Sequence, residues 1–205
     1  FSSYGIKIAN TSSNISIINC TFQRENNTVN EPFTGIYALF GATGGPSDIL
    51  ISGCTFTYLG NLDASKGINV IFNGTVGSTD AYTALTDAED NCHRWTIDDC
   101  EFSYIRVGII YSSLLTSTSW LSQNGGDGYP ATRTIWQYWR ANGIIPTYWT
   151  ITNNTFSNIY NKSVQLTGDY HLTKNNRFMN TGLWQKCNNW QGGSNRNCRW
   201  EGNYF

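Results

Sequence analysis

The sequence predicts an all-β protein, a right-handed, single-stranded parallel β-helix of about six coils. Three observations lead there. A phrase of the form Ile-x-x-Cys/Asn-x-Phe recurs along the chain. A second phrase, Gly-Ile followed by alternating apolar residues, recurs between its copies. The two alternate strictly from one end of the sequence to the other, so a chance origin would have to produce both series in phase.

The first phrase reads Ile17 to Phe22, Ile51 to Phe56, Ile97 to Phe102 and Ile151 to Phe156, with weaker copies at Thr173 to Phe178 and Trp200 to Phe205. Ile15 and Ile17 share one face of an extended strand, and Cys20 and Phe22 share another. The odd step between them requires a bend at Asn19 and at its equivalents Gly53, Asp99 and Asn153, all residue types that tolerate one. The second phrase begins at Gly5, Gly35, Gly67, Gly108, Ser163 and Gly182. There the residues two apart, such as Ile6 and Ile8 or Ile68 and Val70, point to one face. Two short strands meeting at a bend, followed by a third, describe one turn of a solenoid. Crossovers between parallel strands are nearly always right-handed, which sets the hand.

Equivalent residues of stacked coils then form ladders. One inward ladder is Cys20, Cys54, Cys100, Asn154, Asn176 and Asn203; another is Phe22, Phe56, Phe102, Phe156, Phe178 and Phe205. Buried asparagines must hydrogen-bond, most simply to the backbone of neighbouring coils. The period is uneven, and the extra length enters mainly as insertions at about 73–94 in coil two and 112–147 in coil three. The whole of 1–205 reads as one domain, expected to be a module of a larger chain or assembly.

Composition narrows the function. Charged residues make up only 13% of the chain and the net charge is −1, without a basic or acidic block, which argues against nucleic-acid partners. No apolar run approaches the roughly 18 residues of a membrane span. Sequons occur at Asn10, Asn14, Asn19, Asn26, Asn73, Asn153 and Asn161. Composition alone would generate roughly five of them, so the richness in Asn, Thr, Tyr and Trp and the six cysteines carry the expectation of an extracellular or cell-surface location.

The repeat phrases resemble those of the right-handed parallel β-helix proteins of the pectate-lyase-like superfamily, which includes polysaccharide lyases and hydrolases, phage tailspikes and surface proteins. The resemblance covers nearly the whole chain outside the insertions. It implies internal Asn ladders and aromatic stacks, and it speaks for fold far more than for function. Cysteine at three ladder positions departs from the pattern, although Cys is a small residue that buries readily.

The enzymes of that group imply paired carboxylates or an Arg beside a calcium site. Asp98-Asp99 is the adjacent acidic pair outside the insertions, and its place at the bend before Cys100 favours a turn-forming role. Asp80, Asp87, Glu89 and Asp90 lie in the coil-two insertion with no known loop spacing. His93 and His171 are the only histidines; His171 falls where sister coils have Ile15, Ile49, Trp95 and Trp149, a core-lining or edge position, and His93 beside Cys92 does not make a metal site. Neither metal nor cofactor is expected. Cys20, Cys54 and Cys100 are expected as buried thiols, since in-register stacking holds their Cβ atoms slightly too far apart for an unstrained bridge. Cys187 and Cys198 flank a polar loop and are the disulfide candidate, worth roughly 2–3 kcal/mol.

The coil-three insertion carries Trp120, Tyr129, Trp136, Tyr138 and Trp139, followed by Tyr148 and Trp149. Flat aromatic faces there suit sugar rings or a subunit contact, while a loop of this length also needs a small core of its own. Open coil ends expose strand edges and core. Other subunits, or a continuation of the same chain, are therefore expected to cover them. The leading expectation is an extracellular structural or adhesive module of a surface protein, fibre or filament. The alternatives are a polysaccharide-binding and cleaving enzyme or tailspike-like module, and a carbohydrate-binding module.

Overall fold

The computed structural model describes residues 4–9, 12–24, 33–40, 45–59, 65–74, 92–115, 146–166, 168–181 and 197–205. Among them every regular element is a β-strand, and the strands form three sheets of parallel strands. The first sheet contains β1 (Tyr4–Ile8), β4 (Thr34–Phe40), β7 (Lys66–Gly74), β10 (Val107–Leu115) and β13 (Lys162–Gln165). The second contains β2 (Ser13–Ile18), β5 (Ser47–Ser52), β8 (Thr96–Asp98), β11 (Thr150–Thr152), β14 (Leu172–Lys174) and β16 (Arg199–Glu201). The third contains β3 (Thr21–Gln23), β6 (Thr55–Thr57), β9 (Glu101–Ser103), β12 (Thr155–Ser157) and β15 (Arg177–Met179). From β1 to β15 the chain visits the first, second and third sheets in rotation, a topology compatible with a parallel β-helix.

The backbone turns between sheets by left-handed residues. The predicted bend between the second and third sheets is present: Asn19, Asp99, Asn153 and Asn175 all have φ between 52° and 56°, and Gly53 and Gly202 have φ of 62° and 58°. Asn and Asp reach this region with little penalty because their short side chains bond locally. The passage from the first to the second sheet uses the same device at Asn14, Asp48, Arg94, Tyr148, Tyr170 and Asn197. The return from the third to the first uses it at Tyr58, Tyr104, Asn158 and Asn180.

The predicted Phe ladder is a continuous stack. Centroid separations are 4.7 Å for Phe22–Phe56 and Phe56–Phe102, 4.8 Å for Phe102–Phe156, and 5.0 Å for Phe156–Phe178 and Phe178–Phe205. These are the spacings of adjacent strands, so each ring lies flat on the next. Rings from Phe22 to Phe178 are buried, each contributing roughly 1.5–3 kcal/mol. The column also explains the glycines of the second phrase. A Cβ on Gly67 would lie 2.6 Å from the Gly108 carbonyl oxygen and 2.7 Å from Cδ1 of Phe102. The ring of each Phe therefore occupies the space in which a side chain at the glycine would stand.

The isoleucines of both phrases complete the interior. Ile36 pairs with Ile68 and Ile68 with Ile109 in the first sheet; Ile51 pairs with Ile97 and Ile97 with Ile151 in the second. All are fully buried. Trp95 and Trp149 stack at 4.9 Å on the same wall, and His171 closes against the edge of Trp149, accepting its backbone N–H on Nδ1 at 3.1 Å. His171 is thus the core-lining residue that its ladder position predicts.

The mixed ladder is also as expected. Cys54, Cys100, Asn154 and Asn176 are buried, while Cys20 and Asn203 are half-buried. Cys20, Cys54, Cys92 and Cys100 are free thiols, and no disulfide joins two described cysteines. Cys198 donates from Sγ to the Gly168 carbonyl at 3.4 Å, and its proposed partner Cys187 lies outside the described residues.

Candidate functional site

Asp98 and Asp99 are the adjacent acids outside the insertions, and the structure gives both a structural task. Asp99 is a left-handed corner residue. Asp98 accepts from Thr152 Oγ1 at 2.6 Å and from Asn153 Nδ2 at 2.8 Å, which ties the corner of one layer to the next. His93 is buried, its ring nitrogen Nδ1 in a short contact with Thr147 Oγ1, and its backbone N–H donates to Ser47 Oγ at 3.2 Å. Cys92 is buried beside it, its thiol pushed well above the usual range by burial, and its carbonyl accepts from Trp149 Nε1 at 2.9 Å. Among the described residues no three side chains of His, Cys, Asp or Glu converge as metal ligands. No described helix is long and apolar enough to cross a membrane.

The other sequence-predicted positions divide between surface, interior and segments outside the described residues. Trp120, Tyr129, Trp136, Tyr138 and Trp139 lie outside them, as do Asp80, Asp87, Glu89, Asp90 and the sequons at Asn10 and Asn26. Of the two aromatics that follow the insertion, Trp149 is wholly buried and Tyr148 is exposed. Asn14, Asn19 and Asn153 are exposed, Asn161 is half-buried, and Asn73 lies near the end of β7. The exposed sequons sit at left-handed corners, where the side chain points away from the core but also bonds locally: Asn153 is the partner of Asp98.

One set of surface residues escaped the reading of the sequence. Tyrosines stack in pairs at the corners: Tyr58 on Tyr104 at 4.6 Å and Tyr148 on Tyr170 at 4.9 Å. Left-handed φ values are unusual for so bulky a side chain. The signal was their constant offset from the ladder, two residues after each Phe for Tyr58 and Tyr104. Such rings cover each other's faces, so each pair leaves mainly edges and one outer face to a ligand. At the last described layer Trp200 is 37% exposed, Tyr204 74% and Phe205 76%, although Phe205 continues the buried column.

Comparison with protein-family models, with curated proteins and with solved structures finds no match to this chain.

Proposed function

We propose that the chain is a right-handed, single-stranded parallel β-helix of six coils, of the kind found in the pectate-lyase-like superfamily. In this reading it serves as an extracellular structural or adhesive module of a surface protein, fibre or filament. Its working surfaces are the two ends of the stack, covered by other subunits or by a continuation of the same chain.

One observation carries the reading. Phe205 extends the interior Phe ladder yet is three-quarters exposed, and among the described strands β16 lies at the edge of the second sheet. A further coil would bury that ring and give the edge amides partners, each unpaired buried group otherwise costing about 1–3 kcal/mol. Charged residues, the usual defence of a strand edge, are few there: Arg199 and Glu201 bond to each other, and Lys174 to Glu201. The polysaccharide-cleaving alternative requires two free carboxylates, and Asp98 is committed to Thr152 and Asn153. Sedimentation velocity and negative-stain microscopy over a concentration series test the proposal. End-to-end association that Phe205→Asp abolishes is the expected result; a monodisperse monomer at high concentration overturns it.

A further inference from the structure

The corner between the third and first sheets carries a charge unlike the other two. Lys66 opens β7, Val107 opens β10 and Lys162 opens β13, and the register pairs Val107 with both lysines. Arg106 immediately precedes Val107. Its backbone N–H donates to Ser65 Oγ at 3.1 Å, and its carbonyl accepts from the amides of Asn161 at 2.9 Å and Lys162 at 3.3 Å. The backbone thus fixes Arg106 between the layers that hold the two lysines, and all three cations are half-buried.

This clustering has a cost. Burial first, and then the Arg106 charge, push the ammonium groups of both Lys66 and Lys162 below their usual range. Lys162 Nζ donates to Gln165 Oε1 at 2.7 Å, which holds it along its strand. The described carboxylates lie elsewhere. Asp48 and Asp169 are near the first-to-second corner, Asp98 and Asp99 are at the second-to-third, and Glu101 and Glu201 are on β9 and β16. Among the described residues neither Lys66 nor Arg106 has a carboxylate within ion-pair distance. Tyr104 and Tyr160 precede Arg106 and Lys162 by two residues each and are 43% and 66% exposed, and the Tyr160 amide bonds to the Ile105 carbonyl at 3.0 Å.

We propose that Lys66, Arg106 and Lys162 form a binding site for a tetrahedral oxyanion, a sulfate or phosphate ester borne by a glycan whose sugar rings lie against Tyr104 and Tyr160. A planar guanidinium fork beside ammonium groups matches the oxygens of such a group, and the half-buried setting strengthens the attraction. Exposed phenol rings suit the apolar faces of sugars. The site is on the side of the stack and does not depend on how the ends are covered.

Titration calorimetry with a defined sulfated tetrasaccharide, its unsulfated counterpart, inorganic sulfate and an octaglutamate peptide tests the site at low and at physiological salt. The sulfated sugar should bind tightest and weaken with salt. Lys66→Gln and Arg106→Gln should each lower its affinity about tenfold or more, as expected for losing a charge-assisted bond. Both substitutions spare the backbone bonds that hold the corner. Lys174→Gln removes the same charge from the second sheet and should leave affinity unchanged. Tyr160→Ser should weaken the sulfated sugar and leave inorganic sulfate unaffected. Equal losses in Lys174→Gln, or equal binding of octaglutamate, overturn the proposal by reducing it to net charge. Inorganic sulfate binding as tightly as the sulfated sugar overturns the glycan half, and no binding of either overturns the whole.

Discussion

The ladder behind the second-to-third corner is built from thiols in its early layers and from amides in its later ones, and the two halves face the same backbone groups. Each residue faces the carbonyl of the second-sheet strand one layer before it. Cys54 and Cys100 stand with Sγ 3.5 and 3.6 Å from the carbonyls of Ile17 and Ile51, and their one S–H proton is shared with the nearer carbonyls of Ser52 and Asp98 in their own layer, at 3.4 and 3.2 Å. Asn154, Asn176 and Asn203 donate from Nδ2 to Ile97, Ile151 and Thr173, all at 2.9 Å. Each also accepts from the ladder amide one layer before. Asn154 Oδ1 accepts from Cys100 N at 2.9 Å, and Asn176 and Asn203 repeat the bond. In the early layers the amides of Cys20 and Cys54 are directed at the thiols of Cys54 and Cys100.

The difference is one of strength. An amide side chain has two good donors and a good acceptor, whereas a thiol is weak in both roles. The asparagines use the surplus: Nδ2 of Asn154 and of Asn176 also donates to the next Asn Oδ1, at 3.0 Å in both cases. The cysteines recover part of the deficit by packing as small apolar groups against the buried isoleucines. One backbone geometry therefore accepts two chemistries, a strong polar ladder and a weak one with more apolar character.

The column shared by both halves sets the scale for measurement. Phe102→Ala removes a ring stacked on both sides and should cost about 3–5 kcal/mol in denaturant unfolding. A cost under about 1 kcal/mol would mean that the column does not bear on stability.

Asn154→Ala comes next. It strips the Cys100 N–H and the Ile97 carbonyl of their partners in a buried place, at about 1–3 kcal/mol for each. The expected loss is about 2–5 kcal/mol by the same unfolding assay. A loss no greater than that of the matching cysteine variant would erase the distinction between the halves.

That ladder and the Phe column could be read from the sequence because side chains facing a packed interior are chemically constrained. Only Asn or Cys recurs at one position, and only Phe at the other. The bend at Asn19, Asp99 and Asn153 was visible for the same reason, as its residues favour turns. The other two corners were not. Asp48, Arg94 and Tyr148 follow one another at one corner and share a left-handed backbone but no side-chain chemistry, because they point outward. The role of the recurring glycine was hidden too, since it depends on a Phe ring arriving from another strand. The cation corner requires register, as Lys66, Arg106 and Lys162 are far apart in sequence and adjacent only once the layers are stacked.

On the thiol side, Cys54→Ala should lose about 1–2 kcal/mol, from a small cavity and a weak hydrogen bond. It should therefore unfold at a higher denaturant concentration than Asn154→Ala. The reverse order would show that the thiols, not the amides, carry the ladder.

The smallest effect at neutral pH, and the one that isolates the chemistry, is Cys100→Asn, which extends the amide half by one layer. The new side chain can repeat both bonds of Asn154, so stability at neutral pH should change by less than about 1 kcal/mol. The contrast appears in alkali. Burial is the main cause that pushes the Cys100 thiol from 9.0 up to about 12, and it raises Cys54 and Cys92 as well. A thiol whose folded value exceeds its unfolded one stabilises the fold fully below pH 9. As pH rises toward 12 that contribution fades, because the unfolded chain releases the proton and the folded chain retains it. The parent protein should accordingly lose stability progressively above pH 9, and Cys100→Asn should lose less over the same window. Urea midpoints measured from neutral pH to pH 11 decide it, with tyrosine ionisation common to both chains. Identical alkaline slopes would mean that Cys100 is already ionised or solvated in the folded state, and that the thiol half of the ladder is open to water.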